Sequence, residues 1–241
     1  MSHMQTDHPA GDTVSTSTIV SRQRTRDHGE VYTAEREVNA MLDLVKQETE
    51  RIDSRFLEPA CGNGNFLAEV LKRKLAVVAG RYAKSQTEFD RYAVLAVSSI
   101  YGIDILPDNV ESCRERLFSL FNDFYQKTYK ADTPPECAAS VRYILGKNIV
   151  WGDALTFCRG DKPEEAIVFA EWSPVNGNMM KRRDFTFECL VNTFASNSLF
   201  PDLEEKTLFS DLGEEAFIPK PVKEYPLAHY LKLDYEVGGN E

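Results

Sequence analysis

Histidine and cysteine are scarce, and what there is lies scattered. Of the four histidines, His3 and His8 sit near the N-terminus. The five cysteines (Cys61, Cys113, Cys137, Cys158 and Cys189) are odd in number, widely spaced and form no CxxC pair. This excludes a disulfide framework and a zinc site, and it fits a reduced, cytoplasmic protein without a metal. No run of 18 apolar residues occurs, so no membrane span is expected, and the N-terminus lacks the apolar core of a signal peptide. Positive charge is short as well. Lys and Arg total 28 against 38 Asp and Glu, a net charge of −10. Strong unaided nucleic-acid binding needs cations to neutralise phosphates, so this balance counts against it. Two short basic runs stand out, Lys181-Arg182-Arg183 and Lys72-Arg73-Lys74, and the weightier reading of both is an ordinary solvated surface.

The chain is rich in material for a core. Its 241 residues are 42% hydrophobic, enough for one sizeable domain. Residues 1–22 are Thr-, Ser- and Asp-rich without period and read as a disordered arm, headed by Met1-Ser2-His3-Met4 as the scar of an expression tag. The domain itself is expected over 23–200. Pro219, Pro221 and Pro226 mark 201–241 as an irregular tail.

Helices and short strands alternate through that domain. Val38, Met41, Leu42 and Val45 define one helical face, with Thr33 as its expected cap. Arg55-Phe56-Leu57-Glu58 reads as a strand entering the turn Pro59-Ala60-Cys61-Gly62-Asn63-Gly64, and Leu67, Val70, Leu71 and Leu75 mark the next helix. Residues 86–99 form a further helix, and Ile100 to Ile105 a second strand. Pro107 opens a long helix with Val110, Cys113, Leu117, Leu120 and Phe124 as its stripe. A shorter helix around Val141 precedes a third strand, Asn148 to Trp151, and 166–170 read as a fourth. Such alternation predicts a parallel α/β sheet with ligands at the carboxyl ends of its strands. Those ends carry Glu58 with the Gly turn, Asp104, Asp153, and Glu171 to Asn176.

The chemistry of these ends is specific. The Gly turn lets a ligand approach the backbone closely. A dinucleotide site wants a third Gly three residues after Gly64, where Leu67 stands, so the spacing argues against a dehydrogenase. Glu58 suits a ligand carrying an ammonium group. Asp104 can accept two hydrogen bonds from ribose hydroxyls, Ile105 can pack on an adenine face, and Asp153 can accept the adenine amino group.

Gly29-Glu30-Val31-Tyr32-Thr33, followed by Phe56-Leu57-Glu58-Pro59-Ala60-Cys61-Gly62-Asn63-Gly64-Asn65-Phe66-Leu67, resembles the upstream segment and motif I of the gamma-type adenine DNA methyltransferases. These include the modification subunits of type I restriction systems and fused restriction–modification enzymes. Gly102-Ile103-Asp104 and Trp151-Gly152-Asp153-Ala154 resemble their motifs II and III, in the family's order. The resemblance covers about residues 24–176. It implies a Rossmann-like fold that binds S-adenosylmethionine. Tyr32 and Thr33 would contact its methionine part; Glu58, Pro59, Ala60, Gly62, Gly64 and Phe66 would line it; Asp104 with Ile105 would hold the ribose and base, and Asp153 with Ala154 the adenine. It further implies methyl transfer to an adenine amino group of DNA in a restriction–modification or phage-defence setting.

The chain departs from that pattern after its fourth expected strand. The family's Asn/Asp/Ser-Pro-Pro-aromatic string draws the hydrogens of the amino group toward acceptors and stacks the flipped base on a ring. Here Glu171-Trp172-Ser173-Pro174-Val175-Asn176 keeps only Ser173 and Pro174 as catalytic candidates. The remaining length is short for a complete sheet and a target recognition domain. Two functions follow as expectations. One is a DNA methyltransferase that needs a protein partner for sequence recognition. The other is a non-catalytic S-adenosylmethionine-binding subunit or regulator.

Overall fold

The structure is a computed structural model; it describes residues 33–196, 208–209, 215–216 and 219–236, all within the contact unit Thr33–Glu241. Tyr32 and the preceding Gly-Glu-Val, the expected arm, and most of 197–218 lie outside the described residues.

Short runs of β-branched and aromatic residues build the frame. Strands β1 (Phe56–Glu58), β2 (Ile100–Asp104) and β3 (Ile149–Asp153) are parallel in that order, and β4 (Cys158–Arg159) closes antiparallel on β3. The helices are α1 (Glu35–Leu44), α2 (Lys46–Thr49), α3 (Asn65–Tyr82), α4 (Gln86–Ser98), α5 (Pro107–Tyr129) and α6 (Pro135–Asn148). The period-3.6 stripes explain them. Leu67, Val70, Leu71 and Leu75 of α3 are fully buried, and Val110, Cys113 and Leu117 of α5 join them. Ser85 caps α4 by accepting the Glu88 N–H at 3.4 Å. On α1, Ala34 rather than Thr33 occupies the cap position, without a side-chain bond, and Met41 and Val45 are exposed where Val38 and Leu42 are buried.

Strand alternation divides the core in two. Gly102 of β2 faces α3, where an added Cβ would meet the Leu67 side chain at 2.9 Å. Tyr101 and Ile103 point the other way, into a smaller cluster with Ile167, Phe169 and Phe187. The helices also overhang the sheet. The 18 residues of α3 span about 27 Å, whereas five-residue β2 spans about 17 Å. Lys74, midway along α3, already reaches Ile52 O and Ser99 Oγ at the amino ends of the strands, so the second half of α3 lies below them, against α4.

The expected fourth parallel strand is corrected. Strand β5 (Val168–Pro174) pairs antiparallel with β6 (Met179–Thr186), which pairs antiparallel with β9 (Lys223–His229) in a second sheet. It lies over the Tyr101 face and runs opposite to β1–β3. Ile167 packs at Gly152 near the carboxyl end of β3, Ala170 O accepts from Tyr101 Oη at 3.1 Å, and Trp172 Nε1 donates to Asn148 Oδ1, just ahead of β3, at 3.4 Å. The chain reaches Ile167 still at the carboxyl end of β3, where the Ile167 N–H donates to Phe157 O at 2.8 Å, and no crossover helix between β3 and β5 returns it to the other end. Asn176-Gly177, with Gly177 at φ +65°, then turns the chain back into β6. The stretch 183–191 divides between strand and helix, with β6 ending at Thr186 and α7 (Phe187–Ser196) beginning at once. The expected irregular tail contains β9, with Pro226 on this outer strand, and then α8 (Leu233–Glu236). Strands β7 (Leu208–Phe209) and β8 (Glu215–Ala216) pair with each other.

Candidate functional site at the carboxyl ends of the parallel strands

The Gly turn continues directly from β1. The Cys61 N–H donates to Ile103 O at 2.8 Å, which carries the β1–β2 ladder past the end of the strand. The chain then needs two left-handed residues, supplied by Gly62 at φ +52° and Gly64 at φ +85°. These glycines differ in what surrounds them. A Cβ on Gly64 would fall 2.7 Å from Cys113 Sγ, so α5 packs against the bare backbone there. A Cβ on Gly62 would meet nothing within 4 Å, so open space lies beside it.

Asp104 clasps this turn to the next one. It is only 8% exposed. Its Oδ2 accepts from the Gly62 N–H at 2.8 Å; its Oδ1 accepts from the Leu106 N–H at 2.9 Å and from Asn109 Nδ2 at 3.1 Å. A carboxylate offers about four acceptor positions, so about one remains beyond these three bonds. Asn109 and Cys113, which sequence reasoning did not assign to the site, thus hold its floor. Both lie on α5, opened by Pro107, the turn signal that could have pointed to them.

Around the clasp stand the other expected residues. Glu58 is half-buried; burial raises its pKa above the ordinary carboxylate value, and the Ala60 N–H offsets part of that by donating to it. Pro59 and Ala60 are exposed, and Phe66 is half-buried in the first turn of α3. Ile105 is 57% exposed, while its carbonyl accepts from Trp151 Nε1 at 3.1 Å. Asp153 accepts from the Leu155 N–H at 2.8 Å, with Ala154 between them. Cys61 beneath the turn is buried against Cys113, and the hydrogen bond to Cys113 and that burial both push its thiol pKa upward. Thr33 is exposed just ahead of α1, which Lys72 ties to α3 through Glu35 at 3.8 Å.

Ser173 and Pro174 are elsewhere. With β5 reversed, they lie toward the amino ends of β1–β3, the opposite end of the strands from Glu58, Asp104 and Asp153. Ser173 Oγ donates to Glu171 Oε1 at 2.8 Å, and Arg183 Nη2 donates to Ser173 Oγ at 3.3 Å. Glu171 is also paired with Arg183 at 2.8 Å and with Arg55, the residue just ahead of β1. Ser173 therefore belongs to an ion cluster. Arg55 and Glu171 are 116 positions apart, and no local string marks their meeting.

Both basic runs are largely turned to internal partners. Lys181 pairs with Glu224 and Arg183 with Glu171; Arg182 is buried and bidentate to Asp184 at 2.7 and 2.8 Å. Lys72 pairs with Glu69 and Arg73 with Asp43. Lys74 is fully buried, and burial lowers its pKa to about 7.

Among the described residues, no helix is long and apolar enough to cross a membrane, and no group of three or more His, Cys, Asp and Glu gathers as a metal site would need. No protein-family model, no curated protein and no solved structure matches the chain.

Proposed function

We propose that this chain is an S-adenosylmethionine-binding subunit of a DNA-modification system, of restriction–modification or phage-defence type, and that a partner supplies sequence recognition and the clamp on the target base. The observation that carries the reading is that Glu58, Asp104 and Asp153 end three adjacent parallel strands on one side of the sheet, with Asp104 bonded to a Gly turn that has open space beside Gly62. Glu58 would take the ammonium group of the methionine part, Asp104 one ribose hydroxyl, and Asp153 the adenine amino group, while exposed Ile105 offers an apolar flank. When bound, the cofactor supplies a methyl group on an electrophilic sulfonium.

Activating an exocyclic amine needs acceptors beside that methyl group. Ser173 and Pro174 stand at the other end of the strands, engaged by Glu171, Arg183 and Met180. A methyltransferase relying on Ser173 of this chain draws no support from that position. Methyl transfer to adenine by the assembled system is compatible with it.

Calorimetric titration with S-adenosylmethionine and with its demethylated product tests the reading. Both should bind the wild-type chain. Asp153→Ala, whose side chain holds only a local turn, should bind roughly threefold to tenfold more weakly while staying folded. With labelled donor and unmethylated DNA, the chain alone should transfer nothing, and Ser173→Ala should bind the donor like wild type. If neither compound binds, the reading is wrong.

A further inference from the structure

The β5–β6 hairpin does not close tightly on α4. Arg91 and Tyr92 stand one turn before Leu95 on the same face of that helix, and the tip of the hairpin faces them. Between the two lies a cavity of about 200 Å³. Its walls are apolar, with Tyr92 and Leu95 on one side and Pro174, Val175, Met179 and Met180 on the other. Leu95 and Met180 are buried, while Val175 is 40% exposed and lies toward solvent.

Arg91 is the single charged side chain among the lining residues. Two contacts fix it. Its Nη1 donates to Gly177 O at 3.1 Å, and its guanidinium lies 4.7 Å from the centre of the Tyr92 ring, which stacks on Tyr82 at 4.0 Å. Neither contact neutralises it. Among the described residues no carboxylate pairs with Arg91, and its neighbour Asp90 is buried beside Tyr125. A guanidinium carries five N–H donors in a fixed fork, so most of these are available.

This combination selects a ligand. One cation and no acid suit a single negative charge, and the planar fork matches a carboxylate through two parallel bonds. The walls suit an apolar body, and the thioethers of Met179 and Met180 favour the edge of an aromatic ring. A cavity of about 150 Å³ accommodates benzene, so the space here takes one ring and one small acidic group. A phosphate ester would bring a second negative charge that nothing in the lining meets.

We propose that this cavity binds a small aromatic monocarboxylate, its ring against Leu95, Met179 and Met180 and its carboxylate on Arg91. Pro174, a catalytic candidate on sequence grounds, is here a wall of a binding site. The cavity shares no residue with the Gly turn, so this inference stands or falls apart from the methyl-donor reading.

The test uses the full chain carrying ¹³C at its methionine methyl groups. Of the five methionines, Met179 and Met180 line the cavity, Met41 on α1 serves as an internal control, and Met1 and Met4 lie near the N-terminus. Met179→Leu and Met180→Leu assign the two reporting signals. Benzoate should shift both saturably and leave Met41 unmoved. Benzamide keeps the ring without the charge, and acetate keeps the charge without the ring; each should bind at least about tenfold more weakly. Arg91→Gln should weaken benzoate about tenfold and leave benzamide within about twofold, and Arg91→Lys, with the charge but not the fork, should fall between. Arg142→Gln, the same charge change outside the cavity, should match wild type. Arg91 also ties down the hairpin, so if Arg91→Gln moves the methyl signals before ligand is added, the contrast between benzoate and benzamide on the wild-type chain decides. If benzoate moves neither signal at up to about 10 mM, or if benzamide or acetate binds as tightly, the inference is overturned.

Discussion

Replacing Asp104 by Ala should unfold the chain at markedly lower denaturant, before any question of ligand arises. The carboxylate is buried and receives three donors, two of them the backbone N–H groups of Gly62 and Leu106. Ala removes every acceptor at once. Each orphaned N–H costs about 1–3 kcal/mol, and since Gly62 and Leu106 are half-exposed and water reaches them, the low end applies. Adding Asn109, which is buried, brings the loss to about 3 kcal/mol, a large part of the 5–15 kcal/mol typical of a folded domain. With a urea slope of roughly 2–3 kcal/mol per M, the midpoint should fall by about 1 M. Urea titration followed by circular dichroism measures it, with Asp153→Ala as the comparison, because that side chain holds one bond in a local turn. A shift under about 0.3 M for Asp104→Ala, or an equal shift for Asp153→Ala, would refute the assignment of Asp104 as the clasp between the two turns.

The glycines and a buried acid give further tests. Gly62→Ala pays only for its left-handed φ, about 1–2 kcal/mol, because nothing crowds the new methyl group. Gly64→Ala adds a collision with Cys113 Sγ at 2.7 Å and should lose visibly more in the same titration, partly restored by Cys113→Ala; equal losses for the two glycines would count against this packing. Asp90, 5% exposed beside Tyr125, has its pKa raised by burial to about 6. The native state then holds a proton that the unfolded chain releases near pH 4, so stability declines as pH rises from about 4 to 6. Asp90→Asn should flatten that decline and exceed wild type by on the order of 2–3 kcal/mol at pH 7, read from urea midpoints across pH; a wild-type decline left intact in the variant would remove Asp90 as its source.

How far the sequence carried depended on the span of each interaction. The Gly turn, the three parallel strands and the helix stripes were legible because short strings encode them. Glu58 and Asp104 could be placed because each ends a strand beside a turn. The Gly62–Asp104 bond joins positions 42 apart and was not visible, although both partners were. The course of β5 was misread for a different reason. Val168 to Pro174 has the composition of a parallel-sheet strand, but the helix-free connection from β3 leaves it starting at the carboxyl end of the sheet, and its partners are β6 and, beyond that, the distant β9. The absent crossover helix was the available signal, with Asn176-Gly177 marking the hairpin to β6. Pro226 concealed β9, since proline reads as a breaker although an outer strand tolerates it.

The run Lys72-Arg73-Lys74 illustrates how a helix distributes neighbours in sequence. Successive side chains on α3 are rotated by about 100°, so Lys72 and Arg73 stay on the side of α1, paired with its acids, and Lys74 enters the interior. Three adjacent positive charges therefore never act together as a surface. From a distance the molecule presents chiefly its surplus of acids, and separate copies should repel at low ionic strength, an effect that fades once added salt shortens the screening length to about 10 Å or less.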